Sequence, residues 1–199
     1  MLMKNRRRKF AAPDRAWVVL LAVAVSACVA DDVDDPQLDR SRALVKTFGT
    51  QLKAELKSAL QEGGPVQAVR VCKEVAPRIA ADISEQSGAH VTRTSLRYRN
   101  PANAPQAWQL PVLRGFDQQA KAAKSTAPLE FFESHSSGSS QYMRAIPTDG
   151  VCLACHGDVI APALQEVLQQ EYPNDLAVGY ELGDVRGAFS VTWPSETGG

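Results

Sequence analysis

The chain has few of the side chains that bind metal ions and only one long apolar run. Its 199 residues include four cysteines, three histidines and three methionines, and two of the methionines are Met1 and Met3. A structural zinc site would need further ligands beside one Cys-x-x-Cys pair, and the sequence offers no second pair. Basic and acidic residues number 22 each, so no basic excess favours nucleic acid. These shortages argue against a zinc domain, a nucleic-acid-binding protein and a protein with several membrane spans.

The N-terminus has the pattern of an export signal. A basic segment over residues 1–9 precedes an apolar run from Ala16 to Ala27, which is short for a membrane span and suits a signal peptide. Val25-Ser26-Ala27-Cys28 places small residues before a cysteine, as in the lipobox of bacterial lipoproteins. An ordinary signal peptide with an incidental Cys28 is the alternative. We predict that residues 1–27 are a lipoprotein signal peptide and that Cys28 is lipidated.

Removal of this leader would leave an acidic chain. The leader contains six basic residues and one acidic residue, so 16 basic and 21 acidic residues remain, a net charge of −5. We expect residues 28–40 to be a lipid anchor and acidic tether, residues 41–194 to be the domain, and residues 195–199 to be a flexible tail.

This organisation predicts a protein on the periplasmic side of the cell envelope, held to the membrane through its N-terminal lipid. Val29 and Ala30 follow the cysteine where lipoproteins retained at the inner membrane often have an acidic residue, which favours the outer membrane. No nucleic acid is expected as a partner, and the sequence leaves open whether the chain forms a homodimer.

Helical periodicity dominates the first half of the domain. Apolar residues recur at helical spacing from Leu44 to Leu60, and Gly63-Gly64-Pro65 should end this helix. A second helix should follow and close at Gly88. A strand is predicted over residues 91–98, and a short third helix after Pro111.

The second half has the pattern of strands. Strands are predicted over residues 129–133 and 142–147, a helix over Pro162–Glu171, and a last, half-buried strand around Phe189–Trp193. Helices followed by antiparallel strands indicate an α+β fold, with N-terminal helices packed on an antiparallel sheet.

Between these strands, Cys152-Leu153-Ala154-Cys155-His156 has the attachment signature of c-type haem. Two thiols at this spacing can add across the two haem vinyl groups, and the adjacent histidine can bind the iron. Zinc lacks further ligands, and a thioredoxin-like redox pair would be expected in a βαβ unit, which this order of elements does not offer. Export agrees with haem, because covalent attachment takes place outside the bacterial cytoplasmic membrane. We predict one haem c on Cys152 and Cys155, with His156 as the proximal iron ligand.

Four side chains are candidates for the other side of the iron. His135 borders a Ser/Gly loop, Met143 suits the core, and His90 suits a polar strand start. Cys72 lies on the apolar stripe of the second helix, where a free cysteine often serves only as a small hydrophobe. An idle thiol is nevertheless at risk in an oxidising compartment. Spacing alone leaves Cys72 open as a ligand or as a core residue.

Four segments together resemble a known family. They are, in chain order, Val71–Pro77, Arg93–Pro105, Cys152–Gly157 and Gly179–Val191. These segments resemble the single-haem c-type domain of PAS-like fold, catalogued as a domain of unknown function, over about Ser41 to Trp193. The resemblance implies a PAS-like α+β fold enclosing one covalent haem, with His156 and Cys72 as the axial ligands.

Three classes of function follow from such a site. We expect a sensor, in which the haem reports redox state or a small gas by changing its axial ligation. The alternative is a single-electron carrier between envelope redox partners, although cysteine ligation is unusual there and lowers the reduction potential. A haem enzyme acting on peroxide or nitrogen oxides is the weakest alternative, and we predict no catalytic residues.

Overall fold

The computed structural model describes residues 35–122 and 128–195, so the predicted signal peptide, Cys28, most of the tether and most of the tail lie outside the described residues. The helices are α1 Pro36–Arg70, α2 Ala76–Ser87, α3 Gln109–Ala122, α4 Leu153–His156 and α5 Pro162–Glu171, with a π-helix, Val71–Val75, between α1 and α2. The strands are β1 His90–Thr94, β2 Glu130–Ser134, β3 Ser140–Pro147 and β4 Val185–Trp193. Within these ranges no helix is both long and apolar enough to cross a membrane.

The strands form one antiparallel sheet in the order β1-β4-β3-β2. Val91, Val191 and Tyr142 lie side by side across it and pack against α1 and α2 in the main core cluster. Met143 points to the opposite face, where it packs with Leu113 of α3. The predicted α+β fold, with N-terminal helices packed on an antiparallel sheet, is therefore confirmed, and the structure adds a helix on the second face.

Helix α1 begins at Pro36, before the predicted domain start at about Ser41. Asp35 caps it, because its side-chain oxygen accepts a hydrogen bond from the Gln37 amide at 2.8 Å, and proline suits the first helical position. The predicted break at Gly63-Gly64-Pro65 is present inside α1, since Gly64 has φ 67° and ψ −162°, which other residues adopt only with strain.

Three other elements differ from their predicted limits. Strand β1 ends at Thr94 instead of residue 98, because the Ser95 amide bonds to the Asn103 carbonyl and leaves the sheet. Helix α3 takes Pro111 into its first turn, where the missing N–H costs nothing. Strand β4 is covered on both faces rather than half-buried, since Ser190 is 1% exposed and accepts a hydrogen bond from Gln109.

Candidate functional site

The Cys-x-x-Cys-His motif forms a tight turn directly after β3. A short 3₁₀ turn, Gly150–Cys152, leads into α4, so Cys152, Cys155 and His156 lie on one side of a single helical turn. Both cysteines are half-buried free thiols, and they do not form a disulfide with each other. A Cβ atom at Gly157 would lie 2.8 Å from the Leu153 carbonyl oxygen, so only glycine fits where the motif turns away.

His156 is buried and held in one tautomer. Its Nδ1 lies 2.7 Å from the carbonyl oxygen of Ala177, and because a carbonyl can only accept, Nδ1–H is the donor. The lone pair of Nε2 is thereby left for another partner. Burial, and after it the charges of Arg186 and Arg99, lower the pKa of His156 to about 2. The neutral imidazole, oriented by a backbone carbonyl, is the form in which histidine binds metals.

Arg99, which lies outside the motif in the sequence, holds the motif through its backbone. It is buried and pairs with Asp175, Nε to Oδ2, at 2.8 Å. Its Nη2 donates to the Cys155 carbonyl at 2.6 Å and more weakly to that of Ala177. Asp175 accepts from the Ala177 amide at 2.8 Å, so one ion pair positions both the motif and the carbonyl that orients His156.

The segment after Ala177 closes on the motif. The Tyr180 amide donates to the His156 carbonyl at 2.9 Å, and the Gly179 amide donates to the Gly157 carbonyl at 3.2 Å. The Tyr180 ring meets the His156 ring edge-on, with ring centroids 6.2 Å apart. The Arg97 guanidinium covers Tyr180 at 3.6 Å from its ring centroid. Backbone and side-chain contacts therefore immobilise His156 from this side.

Cys72 lies in the π-helix that joins α1 to α2. The Ala76 amide bonds to the Val71 carbonyl, five residues earlier, and Pro77 follows with no amide hydrogen. The turn that carries Cys72 is therefore a π-helix rather than an α-helix. Cys72 is a half-buried free thiol.

Contacts with α5 bring the π-helix that carries Cys72 towards the motif. Lys73 forms an ion pair with Glu171 at the end of α5, which holds the π-helix beside α5. The packing agrees, because one apolar cluster joins α1 through Val69 with α5, and Cys155 packs against it.

The other three candidate ligands do not join this site. His90 is exposed at the start of β1, and His135 is exposed in the turn between β2 and β3. Met143 is fully buried in the α3 cluster on the other face of the sheet. In the part of the chain that the structure describes, no group of three or more His, Cys, Asp or Glu side chains is placed to hold a metal ion.

The donor set fits a covalently bound haem. Cys152 and Cys155 are unbridged thiols one helical turn apart, and the adjacent His156 has its Nε2 lone pair free. A further thiol, Cys72, is close by. The roles of Arg99 and Ala177 could not be predicted from the sequence, since the signal there was the arginine-rich block alone and the two residues are 78 positions apart.

Comparisons with known proteins found a matching family and a similar solved structure. A family model described as Tll0287-like matches residues 14–194. The crystal structure titled as that of the cyanobacterial heme-protein Tll0287 is similar, with 26% sequence identity and a TM-score of 0.63. The match covers 80% of this chain and 96% of that chain. No curated protein matches the sequence.

Proposed function

The chain belongs to the Tll0287-like family, and on that premise we propose that it is an exported haem protein with one covalently attached haem c. Cys152 and Cys155 would carry the thioether bonds, and His156 and Cys72 would be the axial ligands. Similarity to the cyanobacterial heme-protein Tll0287 supports the haem. The observation that carries the proposal is His156, which is buried and has Nδ1 bonded to Ala177 while Nε2 stays free.

The haem would supply the redox chemistry, and residues of the chain would hold it in place. When bound, haem supplies one-electron redox chemistry and an iron that can exchange a ligand. His156 stays neutral at any physiological pH, because burial and the surrounding arginines oppose its protonation. Arg99 holds the Cys155 carbonyl and Ala177 holds the imidazole ring, so this side of the site cannot turn away.

Cys72 is suited to be an exchangeable ligand of the iron. A thiolate stabilises ferric iron and lowers the reduction potential, so its hold weakens on reduction. The π-helix and Pro77 leave the turn that carries Cys72 with fewer α-helical hydrogen bonds than its neighbours. A thiol that binds in one oxidation state and leaves in the other would move this turn. We therefore propose sensing of redox state or of a small gas as the role.

One observation favours a single-electron carrier as the second candidate. Val151 and Val159 flank the motif with 54% and 89% of their surface exposed, and exposed aliphatic side chains are typical of surfaces that dock a partner. Binding of CO or NO to the ferrous protein separates the two functions. A sensor with a labile Cys72 should bind these gases, whereas a carrier with a stable six-coordinate iron should not.

Location follows from the N-terminus. We propose that lipid on Cys28 holds the protein to the envelope on its periplasmic side, each buried CH₂ of the acyl chains contributing about 0.8 kcal/mol. Cys28→Ala should then release the protein into the soluble fraction. A variant that fractionates with membranes as wild type does would contradict lipid anchoring.

Covalent attachment is tested on denaturing gels. Protein made together with a haem-attachment system should give one band that stains for haem. The stain should be lost in Cys152→Ala/Cys155→Ala and kept in Cys72→Ala, the matched control that removes a thiol without removing an attachment point. Metal analysis that finds zinc and no iron would overturn the proposal.

A further inference from the structure

Four arginines surround the candidate site, and they differ in their partners. Arg99 is paired with Asp175, and Arg97 donates to two carbonyls of the loop over Tyr180 and approaches Asp184 at 3.9 Å. Within residues 35–122 and 128–195, Arg93 and Arg186 form no ion pair with any carboxylate. Arg97 and Arg99 thus have partners within the chain, whereas Arg93 and Arg186 lack a counter-ion among the described residues.

Arg93 lies between the helices and the sheet. Strand alternation puts it on the same face as Val91, which packs under α2 in the main core cluster. Ser84 Oγ accepts from the Val91 amide at 2.9 Å, so α2 folds back over β1 and its first turns, next to Cys72, lie over the end of the strand. The Arg93 guanidinium is 6.0 Å from the ring centroid of Phe48 in α1.

Arg186 lies on the side of His156. Its guanidinium is 5.6 Å from the ring centroid of Tyr180, the ring that meets His156 edge-on. Arg93 pairs with Phe189 across β1 and β4, three residues along β4 from Arg186. Ser95, two residues after Arg93, donates its hydroxyl to the Arg186 carbonyl at 2.8 Å. The two arginines therefore lie at the same end of the β1–β4 pair, with Arg186 on the side of His156. Burial lowers the pKa of Arg93, and the charge of Cys72 opposes that effect.

Two like charges without counter-ions in a partly buried space oppose folding, because each has lost water and each repels the other. A thiolate at Cys72 would neutralise one charge, on the side of Arg93 alone. A haem brings two carboxylates on neighbouring propionate side chains, and guanidinium groups bind carboxylates in a bidentate manner. The number of charges and their proximity match the propionates better than the thiolate.

We infer that Arg93 and Arg186 form a carboxylate-binding site that receives the two propionate side chains of the haem. This inference rests on the proposed haem binding. Arg93 and Arg186 are then positioning residues, which would fix the orientation of the haem and offset the negative charge of its propionates. Arg99 and Arg97 instead bind groups of the polypeptide.

The test uses the haem-loaded protein. Arg93→Gln and Arg186→Gln should each shift the midpoint potential downward, because a positive charge near the iron favours the reduced form, and each should shift the propionate bending bands in resonance Raman spectra. Arg93→Lys and Arg186→Lys keep the charge and should recover most of the potential. Arg114→Gln, which removes an exposed arginine of α3 without an ion pair among the described residues, is the control and should change neither quantity.

A double-mutant cycle separates the propionates from the thiolate. In a Cys72→Ala background, Arg93→Gln should lower the potential as much as it does in wild type. If its effect vanishes there, Arg93 serves Cys72 and the inference is wrong. Unchanged potentials and propionate bands in both glutamine variants also overturn it. Failure of haem to attach in wild type would instead overturn the proposed function, and the gel stain reports that beforehand.

Discussion

The two sides of the candidate site are built in different ways. His156 is held by its ring nitrogen, by its carbonyl and by the carbonyl before it, through Ala177, Tyr180 and Arg99. Cys72 is carried by a π-helix, and its neighbour Lys73 forms an ion pair with Glu171 of α5 between half-exposed side chains. An ion pair of that kind contributes about 0–1 kcal/mol. One side of the site is therefore fixed and the other can rearrange at low cost.

Under the proposed function, this difference would let one small domain keep a cofactor and still respond to it. A covalent attachment point gains from a backbone that does not move, and the arginine that supports it is buried with its own carboxylate, Asp175. A switching ligand gains from a backbone with two arrangements of similar energy. π-helices are frequent at functional sites for this reason. The following changes test the difference, from the largest expected effect to the smallest.

Deletion of Glu74 should abolish the role of Cys72. A π-helical turn holds one residue more than an α-helical turn, so removal of this exposed residue should restore a continuous α-helix and rotate Cys72 by about 100° relative to α2. We expect the ferric protein to lose its thiolate signature while haem stays attached. Glu74→Ala keeps the length and should keep the signature. A thiolate signature in the deletion variant would contradict the importance of the π-helix.

Arg99→Met should strongly destabilise the fixed side. It leaves the Asp175 carboxylate, whose side chain is 12% exposed, without its partner, and such a loss costs about 3–5 kcal/mol of unfolding free energy in buried pairs. Urea unfolding measures this loss, and a second change, Asp175→Asn, should recover part of it. Lys121→Met breaks an exposed pair with Asp117 and should cost far less stability, because exposed ion pairs are screened by water. Equal losses in the two single variants would show that Arg99 is not a buried support.

Gly157→Ala should disturb the end of the motif. The added Cβ would lie 2.8 Å from the Leu153 carbonyl, so the backbone must shift, at a cost of about 1–3 kcal/mol. Gly150→Ala is the matched control at the start of the motif, since its Cβ would meet no atom within 4 Å. The midpoints of thermal unfolding of the two variants test this steric explanation. A Gly150→Ala variant that is as unstable as Gly157→Ala would refute it.

Tyr172 packs on the side of the site that carries Cys72, and it should make the stability of the protein sensitive to alkaline pH. Burial raises the pKa of Tyr172 to about 12, and the charge of Cys72 contributes. Because the folded pKa is raised, the stabilisation is complete below the unfolded pKa of about 10 and is lost as the pH rises through about 12. Tyr172→Phe cannot ionise and should lose less stability over this range in urea unfolding. Tyr98→Phe controls for loss of a phenol, and parallel profiles for wild type and Tyr172→Phe would contradict the effect.

Local signals in the sequence were enough for much of the fold. The limits of α5 and the break at Gly64 follow from proline, glycine and apolar spacing, which act within a few residues. The early end of β1 was missed, because it depends on a bond from Ser95 to Asn103 that no periodicity reveals. The burial of Ser190 was missed for a similar reason, since its partner Gln109 comes from a distant helix.

The candidate site shows the same contrast between local patterns, which the sequence reveals, and long-range contacts, which it does not. The motif from Cys152 to His156 was visible as a spacing of residues in the sequence. The π-helix was not visible, because α and π turns carry the same residues and differ only in register. The partnership of Arg99 with Asp175 was also hidden, since the two residues are 76 positions apart and only the fold brings them together.

Electron paramagnetic resonance and optical spectra of the ferric and ferrous protein test most directly whether His156 and Cys72 share one haem iron. Wild-type ferric protein should show a low-spin thiolate signature, which should weaken or disappear on reduction. Cys72→Ala should lack that signature in the ferric state and should gain an open position that binds cyanide or CO. If wild type and Cys72→Ala give the same ferric spectrum, Cys72 is a core residue, and the division into a fixed and an exchangeable side is wrong.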